Sequence, residues 1–227
     1  MIRSEIGGCS MQLLIGNKNY SSWSLRGWLM LKAFGLEFKE IKLSLFTDPF
    51  YQKISELSPA AKVPVLVDGE IRVWDSLAIC EYINETYLKG EGWPSAAADR
   101  ALARAVVCEM HSGYTALRNE MPMNCRALRL IELSDEAKQD VFKIDELWQQ
   151  LILQYQQDGD WLFGRFTIAD VYFAPVVLRF VTYGVELSEP SQQYMKKMRS
   201  LPALQEWIDD ALQETEIVPE DEAGVAR

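Results

Sequence analysis

The spacing of apolar residues changes period along the chain, and each change marks an element. Residues 11–16, MQLLIG, form a short apolar run that predicts a buried strand. From Ser22 onward, Leu25, Trp28, Leu29, Leu31 and Phe34 recur at helical intervals, and Gly35 follows as a C-terminal stop. FKEIKL (38–43) sets Ile41 and Leu43 among lysines and predicts a second strand. A loop and a short helix then lead to LSPAAK. VPVLVDGEIRVW (63–74) contains two β-rich runs joined through Asp68-Gly69, a hairpin signal. DSLAICEYINETY (75–87) returns to the helical period, with Leu77, Cys80, Ile83 and Tyr87 on one stripe.

The order is therefore β-α-β, an irregular helical segment, then β-β-α. The first two strands need a crossover and the last two make an antiparallel hairpin. This predicts a mixed four-stranded sheet covered by helices, an α/β domain over residues 11–87. LKGEGWPSA (88–96) carries two glycines and a proline and reads as a linker. Beyond it every patterned stretch is helical: 96–120, 134–157, 167–183, 191–199 and 202–214. These predict a second, all-α domain over 96–214. The acidic tail ETEIVPEDEAGVAR is expected to fray. The organised pattern begins at Met11, so the first ten residues read as a loose extension and Met11 as a candidate functional start.

Composition narrows the function. The chain has 227 residues, 48% of them hydrophobic and 25% charged, with a net charge of −10. A nucleic-acid or anionic-membrane partner needs a basic face, which this balance argues against. No run approaches the roughly 20 apolar residues of a membrane span. MIRSEIGGCS lacks the apolar core of a secretory signal, so the expected location is cytoplasmic. Cys9, Cys80, Cys108 and Cys125 are scattered without a C-x-x-C pair, which argues against a disulfide framework. His111, the single histidine, has no partners at ligand spacing, so no zinc site is expected and it reads as a packed helix residue.

Three short stretches carry candidate chemistry. In KVPVL (62–66), Pro64 is either an edge device or a cis-proline turn that turns the Val63 backbone outward, where it could pair with an extended peptide. In WDSLAI (74–79), Asp75-Ser76 is either a plain helix cap or an anion site at a helix N-terminus. In the second reading Ser76 binds a carboxylate and Asp75 accepts from an ammonium, the two groups of an α-amino acid end. In YSSWSLR (20–26), Ser21 and Ser22 stand at a helix mouth where a hydroxyl and the dipole both favour a thiolate. An ordinary thiol has a pKa near ~8.5, and lowering it by about two units takes ~2.7 kcal/mol of selective thiolate stabilisation. A charge-assisted hydrogen bond and a dipole end supply that much.

Taken in order, these stretches and the helical domain after them resemble the cytosolic glutathione S-transferases, from Met11 to about Glu214. The likeness is greatest to the serine-type, zeta-like group, whose first helix opens with Ser-Ser-Cys-Ser-x-Arg. Here Ser21, Ser22, Ser24 and Arg26 match, and Trp23 stands in place of the cysteine. The resemblance implies a thioredoxin-like N-terminal domain, a homodimer, and glutathione as co-substrate with no metal. It places the sulfur at Ser21 and Ser22, with Ser21 narrowly favoured, and Trp23 beside them. It places the cysteinyl backbone on Val63 and Pro64, the γ-glutamyl end at Asp75 and Ser76, and the glycyl carboxylate near Lys62. The reaction it implies is attack of the thiolate on a small electrophile; a glutathione-dependent isomerase, lyase or dehalogenase and a non-catalytic binding protein are the alternatives. Zeta enzymes that isomerise maleylacetoacetate use the motif cysteine and an arginine late in the helix containing the "AD" pair. In this chain Arg179 lies about one turn before that place, which Thr182 holds. An ion pair is the expected role for Arg179. GRFTIADVYFAP (164–175) resembles the family's capping box, with Thr167 and Asp170 as the pair. Thr115, Arg118 and Asn119 are candidates for the second-substrate pocket, while Met121 and Met123 read as packing.

Overall fold

A computed structural model describes residues 11–227. The expectations for the first ten residues, Cys9 among them, lie outside the described residues. The N-terminal layer runs β1 (Met11–Ile15), α1 (Ser22–Ala33), β2 (Lys39–Lys42), α2 (Asp48–Ser55), β3 (Val65–Asp68), β4 (Ile71–Val73) and α3 (Ser76–Thr86). The sheet order is β2-β1-β3-β4, with β1 and β2 parallel and the other neighbours antiparallel. This is the mixed sheet expected from the crossover and the Asp68-Gly69 hairpin. Gly69 takes φ 60°, which glycine adopts without a Cβ clash.

Alternation along β1 sorts its side chains between two cores. Leu13 and Ile15 join the large core shared with α1, α3 and the helical domain, whereas Leu14 faces Val65, Phe50 and Ile54 under α2. All are essentially buried. Each aliphatic side chain so enclosed contributes about 2 kcal/mol, which fixes the register Leu13↔Leu66 and Leu14↔Val65. The Val63–Pro64 bond is cis, the second of the two readings the sequence allowed. A Cβ on Gly27 would lie 3.3 Å from the Pro64 ring, so a larger residue there would have to push the turn back by a few tenths of an ångström.

The C-terminal part comprises α4 (Ala97–Ser112), α5 (Thr115–Glu120), β5 (Arg129–Leu130), α6 (Asp135–Tyr155), α7 (Ile168–Thr182), α8 (Glu189–Arg199) and α9 (Pro202–Gln213). The short 3-10 turn Pro219–Asp221 and β6 (Val225–Ala226) complete the chain. The expected helix over 96–120 is broken at Gly113 and Tyr114, where Tyr114 has φ 50°. Helix α7 is apolar on every side and almost wholly buried, packing against both α1 and α4. Its capping box is present: Thr167 N–H donates to Asp170 Oδ2 at 2.8 Å, and Ala169 N–H to the Thr167 hydroxyl at 3.3 Å. Among the described residues, no helix is long and apolar enough to cross a membrane.

The second part is helical as expected, with one small addition: the two-residue strand β5 pairs with β6 in the tail. One expectation fails here: the tail does not fray. Glu214 accepts from the Lys18 and Asn19 N–H groups at 2.9 and 3.0 Å, Val218 is buried, and Glu222 accepts from the Tyr20 hydroxyl at 2.6 Å and the Asn124 amide at 3.0 Å. Hydrogen bonds dock most of it and Val218 is a single buried apolar side chain, too little for hydrophobic patterning to show.

Candidate active site

The mouth of α1 is built by short-range hydrogen bonds. Ser21 caps the helix: its Oγ accepts from Ser24 N–H at 3.3 Å and donates to Ser24 Oγ at 2.7 Å. Ser24 Oγ in turn accepts from Gly16 N–H at 3.0 Å, which ties the helix start to the end of β1. Ser22, the first helical residue, faces the other way. Its Oγ accepts from Arg179 Nη2 at 3.1 Å, across the boundary between sheet layer and helical domain.

A cavity of about 530 Å³ opens at this point. One wall carries Ser21, Ser22, Trp23, Lys62 and Val63, with Phe46 and Tyr51 from the segment around the start of α2. The opposite wall carries Arg118, Asn119, Met123 and Arg179, and Asp221 enters from the tail. Five of the residues singled out in the N-terminal stretches thus share one space. Pro64 lies buried behind Val63. Asp75 and Ser76 lie outside this cavity, at the N-terminus of α3. Asp75 Oδ1 accepts from the N–H groups of Leu77 and Ala78, and Ser76 Oγ lies 2.9 Å from the Tyr172 hydroxyl. Thr115 is exposed and does not line the cavity. Met123 does line it, beyond the packing role expected of it.

The electrostatics of the cavity are dominated by arginines. Arg179 hydrogen-bonds the carbonyls of Arg118 (3.1 Å) and Met121, besides Ser22. Arg26 bonds the carbonyls of Tyr172 (3.2 Å) and Ser22 (3.3 Å). Neither makes an ion pair with a carboxylate among the described residues, so the ion pair expected for Arg179 is not what holds it. Burial pushes Arg179 down to about 9 and Arg26 down to about 10, and their mutual repulsion adds to the fall at Arg179. Arg118 is lowered too, again by burial, and its Nε is buried without a hydrogen-bond partner. Two desolvated guanidinium groups on the wall, one with an unused donor, make the cavity a place for negative charge. Asp221 answers part of this charge. Burial raises its carboxyl, and Arg179 opposes the rise.

Sequence reasoning did not find Tyr20, Phe46, Tyr51, Tyr172 or Asp221. Tyr20 and Tyr172 lie within quoted stretches but at positions to which no chemistry was assigned, and Phe46, Tyr51 and Asp221 reach the site through the segment around α2 and the tail. Thr182, which holds the position where an arginine was expected, donates its hydroxyl to the carbonyls of Asn124 and Leu178 and takes no part in the cavity. Cys80 is buried, Cys108 exposed and Cys125 partly buried, and all three are free thiols. Burial pushes Cys125 up to about 12 and Cys80 higher still, so neither is a nucleophile. Among the described residues no group of three or more His, Cys, Asp or Glu side chains could hold a metal ion.

A mixed sheet with a cis-proline turn beside a helix mouth, followed by a helical domain that closes the cleft, defines the class: thioredoxin-like proteins carrying a helical second domain. Comparison with known proteins specifies the family. The glutathione S-transferase N-terminal domain model matches residues 20–86, and the C-terminal domain model matches 128–210. A probable maleylacetoacetate isomerase of Caenorhabditis elegans is 33% identical over 74% of this chain and 77% of its own length. Another from Vibrio cholerae is 26% identical over 82% and 89%. A Burkholderia glutathione transferase homolog, solved with bound glutathione, superposes with a TM-score of 0.70 at 23% identity, covering 90% of this chain and 99% of that one. The chain belongs to the glutathione S-transferase family.

Proposed function

We propose that this protein transfers glutathione to a small electrophile that carries a negative charge. Residues 11–87 hold glutathione and residues 96–214 supply most of the second-substrate wall. The cysteinyl backbone lies along Val63, the glycyl carboxylate near Lys62, and the γ-glutamyl end at Asp75 and Ser76. The sulfur sits at the mouth of α1. One observation carries the reading: the Arg179 guanidinium donates to Ser22 Oγ inside the cavity. That bond uses an acceptor site of Ser22 and leaves the hydroxyl proton to face the sulfur. The hydroxyl of Ser21 already donates to Ser24. Ser22 is therefore the thiol's donor and Ser21 the residue that sets the helix start. Arg179 adds a positive charge behind the donor, which favours the thiolate. The thiolate forms a bond to the electrophilic carbon while the leaving group departs with its electron pair, and proximity in the cavity lowers the barrier. The protein works as a homodimer in the cytoplasm, as the family resemblance implies and sedimentation would test.

Retention on immobilised glutathione with turnover of a chlorinated nitroarene tests the transferase. Binding without turnover, unaltered by substitution of both serines, would leave a binding protein instead. Isomerase chemistry is the second reading, favoured by the position of the Arg179 guanidinium. Although one turn early in sequence, it reaches the cavity and could hold a substrate carboxylate. Turnover confined to cis-enone acids would decide for it.

A further inference from the structure

His111, in the last turn of α4, joins three elements. Its Nε2 lies 3.2 Å from Asp75 Oδ2 at the cap of α3. Its Nδ1 lies 3.2 Å from the Tyr172 hydroxyl on α7, and that hydroxyl lies 2.9 Å from Ser76 Oγ. Tyr172 is fully buried and Ser76 is 2% exposed, so bulk water does not interrupt the Tyr172–Ser76 link, whereas His111 and Asp75 are partly open to solvent and exchange protons with it. Trp23 and the imidazole pack in a T-shaped contact, with ring centroids 5.3 Å apart.

Donor counting gives this chain a direction. A carboxylate only accepts, so in the neutral ring Nε2 carries the proton toward Asp75 and Nδ1 is bare. Nδ1 then accepts from the Tyr172 hydroxyl. The phenol has one proton, so its contact with Ser76 is made by the serine's own hydroxyl proton. Ser76 has nothing left to donate. Protonating the ring makes Nδ1 a donor; the phenol oxygen accepts there and turns its proton to Ser76. Every contact survives with its direction reversed from Tyr172 onward, and the Ser76 proton is released. Burial keeps the phenol itself protonated, so it relays the change without ionising.

Charged groups of both signs stand around the ring. Asp75 at the cap of α3 is the carboxylate that faces the ring. Arg118 on α5 donates from Nη1 to the His111 carbonyl at 3.4 Å. Arg26 on α1 lies against the Trp23 ring at 4.5 Å and the Tyr172 ring at 4.9 Å.

We propose that His111 is a positioning residue for the γ-glutamyl carboxylate of glutathione: its protonation, passed through Tyr172, decides whether Ser76 donates to that carboxylate. The inference rests on the reading that the γ-glutamyl end lies at Asp75 and Ser76. S-methylglutathione is the probe, because it keeps that end and has no thiol to titrate. Its dissociation constant, measured by calorimetry, should be about tenfold lower near pH 5.5 than near pH 8, one hydrogen bond to a charged acceptor. The step should follow the titration of the imidazole signal, which is unambiguous in a chain with one histidine. His111→Gln fixes the neutral-ring direction, with its amide N–H to Asp75 and its carbonyl accepting from Tyr172, so it should bind weakly at every pH. Tyr172→Phe should abolish the pH step while His111 still titrates. A flat wild-type profile while His111 titrates, or a step retained in His111→Gln, overturns the proposal. Failure to bind at any pH overturns instead the placement of glutathione on which it rests. Nitrogen shifts of the free protein test the relay alone: a neutral ring protonated on Nδ1 contradicts it.

Discussion

Two neighbouring serines differ in what their protons do. Ser21 donates to Ser24 and holds the helix cap, while Ser22 accepts from Arg179, and in the proposed reading its own proton faces the sulfur. Ser22→Ala should therefore lower kcat/KM for glutathione conjugation by about 10- to 100-fold, the worth of a hydrogen bond to a charged group. Ser21→Ala should act mainly on stability, by about 1 kcal/mol through the lost cap. Steady-state kinetics and thermal unfolding of the two variants separate the roles; equal kinetic losses would contradict them. Asp221 shares the cavity with Arg179, so Asp221→Asn should tighten binding of a carboxylate-bearing electrophile a few-fold, read from its KM. The motif residues were legible because capping, proline and hairpin chemistry act over a few positions. Which serine points at Arg179 was not, because the guanidinium comes from 157 residues away.

Helix α7 shows what an element adds. Its apolar sequence and Thr167–Asp170 box announced a central buried helix, and the structure has one. The electrostatic consequence appears only in the fold. Burial is the largest influence on Asp170 and pushes its carboxyl up to about 6, against the hydrogen bonds from Thr167 and Leu162. The folded state then binds the proton more tightly than the unfolded chain. The stability Asp170 contributes is present at low pH and lost as pH rises from about 4 through about 6. Asp170→Asn should remove this fall, a difference on the order of 2 kcal/mol between the two ends of the window. Chemical denaturation of both proteins across that interval measures it, and parallel profiles would contradict the assignment. At the next scale of element, the break at Tyr114 and the β5–β6 pair escaped sequence reading. The first is a single left-handed residue inside a helical pattern, and the second is too short to show a period.

Across the whole molecule, a chain of net charge −10 encloses a cavity walled by arginines. Composition reports the solvated surface and argues against polyanionic partners; it says nothing of a few buried cations of opposite sign. The cavity draws on the sheet layer, α5, α7 and the tail, so it exists only when the domains are docked. The sequence made each wall's scaffold legible and left their meeting unstated, since Arg118, Arg179 and Asp221 belong to no common motif. Ultraviolet titration of the glutathione thiol in the bound complex tests the central claim most directly. The account predicts a thiol ionising about two units below its ordinary ~8.5, with much of that shift lost in Arg179→Gln. A bound thiol that ionises as it does in free solution would contradict it.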